Sequence, residues 1–156
     1  MLKLITPLTQ ADSGNPQFTV GSRTMTKDGN EYIYLPGVAS VAQYDWVTYK
    51  TATDLSYGSV TRLTPGDSAG PIAIAQAAIT GNKYGWFLIK GMGWGNSGAT
   101  WTATGSILYA CGTTATVDNA STTGKTIIGS INVGAGASGG TVKALINYPF
   151  IPGAAI

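Results

Sequence analysis

Gly70-Pro71-Ile72-Ala73-Ile74-Ala75-Gln76-Ala77-Ala78-Ile79-Thr80-Gly81-Asn82-Lys83-Tyr84-Gly85-Trp86-Phe87-Leu88-Ile89-Lys90-Gly91 sets the architecture of this chain. Two apolar runs flank Thr80-Gly81-Asn82-Lys83, and Gly and Asn tolerate the positive φ that a tight hairpin needs. At the two-residue period of a strand, Ile72 and Ile74 share one face while Ala73, Ala75 and Ala77 line the other. In the second run Tyr84, Trp86 and Leu88 share a face, with Phe87 and Ile89 opposite. Both faces are apolar, so the hairpin is expected to be covered on both sides. Gly85 removes a side chain beside Trp86, leaving room for close packing. A helix over Ile72–Ala78 is disfavoured by its shortness and by Gly70-Pro71.

The other strands follow outward from this hairpin. Upstream, Asp28-Gly29 is a strong hairpin signal leading into the alternating Tyr32-Ile33-Tyr34-Leu35. Val41–Tyr49 is β-rich, with Tyr44 and Trp46 on one face and Val47 and Tyr49 on the other. Leu55–Leu63 is a further candidate strand. Downstream, Met92–Thr104 reads as a Gly/Thr/Ser/Asn loop carrying Trp94 and Trp101. Ile107–Cys111 is a short strand. Thr126–Val133 is another, with Ile127, Ile131 and Val133 on one face. Thr141–Asn147 alternates, with Val142, Ala144 and Ile146 on one face, and Pro149 is expected to end it. These short strands at turn spacings of about 8–15 residues indicate an all-β, single-domain β-sandwich or β-barrel of short antiparallel strands. The division expected is an extended N-terminal arm over residues 1–17, a β domain over 18–149 and an apolar C-terminal tail over 150–156.

Composition narrows the function. A chain of 156 residues fits one domain. Charged residues make up 10%, against about 25% in an average soluble domain. A surface so poor in charge is weakly protected against association, and a closed self-assembly, a homotrimer, is expected to cover part of it. The nine basic residues form no run, which argues against nucleic acid as a partner. No stretch approaches the ~18 apolar residues of a membrane span, so no membrane partner is expected. The N-terminus lacks the apolar core of a signal peptide, and the single cysteine, Cys111, permits no internal disulfide. Synthesis in a reducing cytoplasm is the expectation.

Several segments imitate chemistry. Gly66-Asp67-Ser68-Ala69-Gly70-Pro71 mimics the nucleophile segment of chymotrypsin-like proteases, but that mechanism needs a histidine base and the chain has none. Gly134-Ala135-Gly136-Ala137-Ser138-Gly139 satisfies G-x-G-x-x-G, yet a strand-period segment follows where a dinucleotide fold needs a helix. Thr123-Gly124-Lys125-Thr126 resembles the end of a P-loop whose leading glycine is replaced by Asn119. One glutamate and six scattered aspartates leave only a loop calcium site open as a metal reading. The chain is therefore expected to be no enzyme and to carry no cofactor. Trp94 and Trp101 are the candidates for stacking on a sugar or anchoring an interface. Leu2, Leu4 and Ile5 in the arm, and Phe150 and Ile151 in the tail, are the candidates for docking on a partner.

Segments spread over most of the chain resemble the capsid decoration, or cement, proteins of tailed bacteriophages. They are Gly21-Ser22-Arg23 with Gly29-Asn30-Glu31-Tyr32-Ile33-Tyr34, then Val41-Ala42-Gln43-Tyr44-Asp45-Trp46-Val47. The Gly70–Ala75 and Tyr84–Gly91 runs follow, and last Gly139-Gly140-Thr141-Val142-Lys143-Ala144-Leu145-Ile146-Asn147-Tyr148-Pro149. The likeness is one of pattern, without an invariant chemical motif. It implies a β-rich subunit, often trimeric, on the outer surface of a virion head, clamping neighbouring copies of the major capsid protein, with the N-terminal arm as a contacting element. It carries over no catalytic residue. The alternative is a carbohydrate- or receptor-binding β module that uses Trp94 and Trp101.

Overall fold

The computed structural model describes residues 8–49, 60–64, 69–120 and 125–153. Eleven strands form in these segments. The first five are β1 (Asp12–Ser13), β2 (Arg23–Met25), β3 (Glu31–Pro36), β4 (Trp46–Thr48) and β5 (Thr61–Arg62). Next come β6 (Gly70–Ala75), the long β7 (Lys83–Asn96), β8 (Ile107–Ala110) and β9 (Val117–Asp118). The last two are β10 (Thr126–Asn132) and β11 (Thr141–Ile151). All pair antiparallel in one sheet, in the order β2-β3-β7-β6-β11-β10-β8-β9, with β4 on β6 and β5 on β4. The all-β expectation holds. The sheet does not close into a barrel; it folds over on itself.

The central hairpin forms as the alternation requires. Ile74 pairs with Leu88 and Ala75 with Phe87. The isoleucine face joins Trp86 and Leu88 in the larger of two cores, and the alanine face joins Phe87 and Ile89 in the smaller. The connection is longer than a two-residue turn. Lys83 N–H donates to Thr80 C=O at 3.1 Å and Asn82 sits at φ 61°, while Ile79 tucks inward. Ile79 occupies the space that a Cβ at Gly85 would need, which explains the glycine beside Trp86. Tyr32 and Tyr34 likewise enter the larger core, and Ile33 and Leu35 the smaller.

The larger core lies between the two halves of the folded sheet. One half contributes Tyr34, Trp46, Ile74 and Trp86, and the other contributes Val142, Ala144 and Ile146. The crease between them crosses adjacent strands. β7 bulges against β3 between the pairs Glu31↔Lys90 and Tyr32↔Leu88, and Gly91 follows at φ 109°. In β11 the bend falls at Tyr148, φ 45°. In β10 it falls at Gly129, φ 82°, where the register on β11 shifts. Positive φ is inexpensive for glycine alone, and bulges of this kind let strands pass from one layer to the next. Asn30 braces the crease. Its side chain accepts from Met92 N–H at 2.9 Å and donates to Met92 C=O at 3.1 Å, as a neighbouring strand would.

Five expectations are corrected in the structure. The strand at Thr126 does not align Ile127 with Ile131: the Gly129 bulge buries Ile127 and turns Ile131 outward. Ser130 and Asn132 point inward instead, and both are satisfied. Ser130 Oγ donates to Ile127 C=O at 2.8 Å, and Asn132 Oδ1 accepts from Ser106 N–H at 2.7 Å. Pro149 does not end β11, because the ring sits at the bend and the strand resumes with Phe150↔Pro71 and Ile151↔Gly70. Phe150 and Ile151 therefore belong to the sheet, not to a tail. Met92–Asn96 is strand rather than loop, and Tyr44, at φ 68°, lies outside β4.

Candidate functional site

β7 changes character at the crease. Before it, Trp86 to Ile89 are buried on both faces. After it, the inward positions are Gly93 and Gly95, where a Cβ would collide with Leu88 and with the Trp46 indole. The outward positions are Met92 and Trp94, both exposed. Large side chains have been displaced to the outside because Leu88 and Trp46 already fill the inside.

Three neighbouring strands continue this outward surface. Met92 is registered with Leu145, Leu145 with Ile131, and Ile131 with Ile107. Four apolar side chains thus form a row across β7, β11, β10 and β8, and all are exposed. Residues directly opposite in antiparallel strands lie on the same face and touch. Beyond the Gly129 bulge, Ile128 is registered with Phe150, extending the surface past the crease. Ile107, Ile128, Ile131 and Leu145 line a shallow groove of about 310 Å³. Across these seven side chains the exposure is 36–48%. Monomeric proteins rarely leave apolar patches above a few hundred Å² uncovered.

Charge is sparse here. β8 and β10 carry no charged side chain, and β11 carries one, Lys143, registered with Trp94. At the crease Lys90 Nζ lies 5.5 Å from the centre of the Tyr148 ring, and Arg23 lies over the same ring at 5.9 Å. Tyr148 donates its hydroxyl to Glu31, which also meets Arg23 at 3.4 Å. The hydrogen bond to Glu31 raises the Tyr148 phenol above its usual range. This polar knot flanks the apolar surface at the crease.

Two buried polar clusters lie elsewhere and hold the loops. Asp45 accepts from Arg62 Nε at 2.8 Å, from Asn96 Nδ2 at 2.9 Å and from Ala42 N–H at 2.9 Å. Tyr34 donates to Asp12, fastening β1 to the core, and burial together with that bond raises the Tyr34 phenol well above its usual range. Each carboxylate is engaged in packing the chain. Among the described residues no three of His, Cys, Asp and Glu gather as a metal site would require.

The candidates from the sequence separate. Trp94 is 46% exposed at the edge of the apolar face, whereas Trp101 is 6% exposed. Trp101 pairs with Gly136 by backbone hydrogen bonds in both directions, and its indole covers that glycine. The two tryptophans therefore do not form one stacking platform. Phe150 is 43% exposed and Ile151 is 1% exposed, inside the larger core. Leu2, Leu4 and Ile5 lie outside the described residues, as do Gly66-Asp67-Ser68 and Thr123-Gly124. No family model and no curated protein matches the chain. Among the described residues no helix is long and apolar enough to cross a membrane.

Met92, Ile107, Ile128, Ile131 and Leu145 were not among the sequence candidates. The signal for Met92 and Trp94 is present in Gly91-Met92-Gly93-Trp94-Gly95-Asn96, where glycine alternates with larger residues at the strand period.

Proposed function

We propose that this chain is a structural interaction protein of a virion, a capsid decoration protein that self-associates as a homotrimer and binds the outside of a phage head. In this reading the major capsid protein is its partner, and it performs no catalysis. The observation that carries the reading is the exposed apolar face built in register across β7, β11, β10 and β8. A surface of that kind serves lasting protein contact, since its exposure in a free subunit favours association. The absence of histidine and the low charge of the chain are in keeping with a structural role. The resemblance in sequence pattern supplies the head as the setting.

The test is to incubate the purified chain with undecorated heads of the phage that encodes it and to examine the particles by electron microscopy. Ordered density at fixed lattice positions is expected. Deleting residues 2–6 should weaken attachment severalfold while the β fold persists, because the arm contributes apolar contacts to the neighbour. Bare heads after incubation at micromolar concentration would overturn the reading, and binding to a glycan panel lost in Trp94→Ala would favour a sugar-binding module.

A further inference from the structure

We infer that the apolar face of β7, β11, β10 and β8 is covered by a second copy of this chain. The inference rests on the reading of the protein as an interaction subunit and names what occupies the face. Area is the first argument. Seven large side chains, each with about two-fifths of roughly 200 Å² exposed, present about 560 Å² of apolar surface. Matched by an equal area on the neighbouring copy, that surface buries about 1,100 Å², near the lower end of a standard stable interface before polar neighbours are added.

The second argument is charge. A partner recruited by electrostatic complementarity is met by a field of charged groups at the rim. Here Lys143 stands as the single charged residue of β11, and Lys90 and Arg23 are turned onto the Tyr148 ring beside Glu31. With so few charges, two copies can meet without setting lysine against lysine across most of the contact. The row Ile107, Ile131, Leu145 and Met92 spans four strands in register, a ridge that the surface of a neighbouring copy can pack against. Shape is the third argument. The groove between β10 and β11, about 310 Å³, is open and lined by Ile107, Ile128, Ile131 and Leu145, so it can receive side chains from a facing sheet.

The experiment measures the mass of the isolated full chain in solution by sedimentation and light scattering at about 10–50 μM, in the concentration range where ordinary interfaces persist. The expected mass is at least twice the 16.0 kDa of one chain. Ile131→Lys and Leu145→Lys, each placing a charge in the middle of the row, should shift the mass to 16.0 kDa with an unchanged far-ultraviolet spectrum. Ala39→Lys, exposed and beside Gly81 at the end of β7 opposite to the face, should keep the wild-type mass. Acrylamide quenching gives a readout that needs no folded lysine variant. Trp94 is the exposed tryptophan, so its quenching should rise several-fold on dilution through the dissociation range and vanish in Trp94→Phe. A monomeric wild type, or lysine variants that retain the wild-type mass, would overturn the inference. Head binding is read separately. A monomeric chain whose head binding is lost in Leu145→Lys would assign the face to the capsid and leave the proposed function standing. An oligomer that fails to bind heads would leave the self-interface standing and remove the proposed function.

Discussion

The two halves of β7 use the same strand geometry for opposite ends. From Trp86 to Ile89 both faces are buried, one against the larger core and one against the smaller. From Gly91 to Asn96 the inward positions are glycine and the outward ones are Met92 and Trp94. The first half spends its side chains on holding the fold. The second gives its inner space to Leu88 and Trp46 and places its large side chains where they contribute little to the folded monomer. The same strand therefore separates stability from contact surface along its length.

The largest effect should come from the doubly covered half. Phe87→Ala removes a fully buried ring and should cost about 3–5 kcal/mol in chemical denaturation. A loss below about 1 kcal/mol would mean that the smaller core is loosely packed and the contrast with the second half is wrong. Gly95→Ala tests why the second half is glycine on its inner side. The added carbon meets the Trp46 indole and should cost about 1–3 kcal/mol by overpacking. An unchanged denaturation midpoint would show that Trp46 can move aside.

Tyr34→Phe should cost about 1 kcal/mol at neutral pH, since it removes a buried hydrogen bond to Asp12. It should also change the alkaline limb. Burial first, and then the bond to Asp12, raises the phenol in the folded chain, whereas in the unfolded chain it titrates near 10. The unfolded state therefore gives up this proton first, and the stability it confers is complete below about pH 10 and falls as pH rises further. Denaturation midpoints from pH 8 to 11 should decline less steeply in the phenylalanine variant, and equal slopes would remove Tyr34 as the source. The smallest effect belongs to the open half. Leu145→Ser, at an exposed position, should alter the stability of the monomeric subunit by no more than about 0.5 kcal/mol. A loss of several kcal/mol in dilute solution would place Leu145 in the core and erase the distinction.

Much of the covered half is legible in sequence because alternation there is uninterrupted. Tyr32–Leu35, Ile72–Ala75 and Trp86–Ile89 each assign their residues to the correct core. The open half is less legible, for reasons that lie in its bends. A single bulge at Gly129 reverses the side on which Ile131 falls, and period-two reading has no means to count an extra residue. Pro149 suggests a stop because it lacks an N–H, yet at a crease that donor is not needed. Glycine at 91, 93 and 95 imitates a loop, although close packing against Leu88 and Trp46 is what excludes side chains there. The apolar row exists only once four strands are set side by side, and no local pattern in the chain announces which strands those are.

Lys90 pairs with Glu31 of β3 along one edge of β7 and with Asn147 of β11 along the other. The crease is therefore stitched by continuous backbone and is no hinge. A molecule built as two leaves could open like a book; this one is a single creased ribbon, and parting the layers means tearing strands that belong to both. Amide protons on either side of Lys90 should exchange through one shared opening of the whole chain, so the outer surface is carried on a rigid plate whose curvature is set before any neighbour arrives.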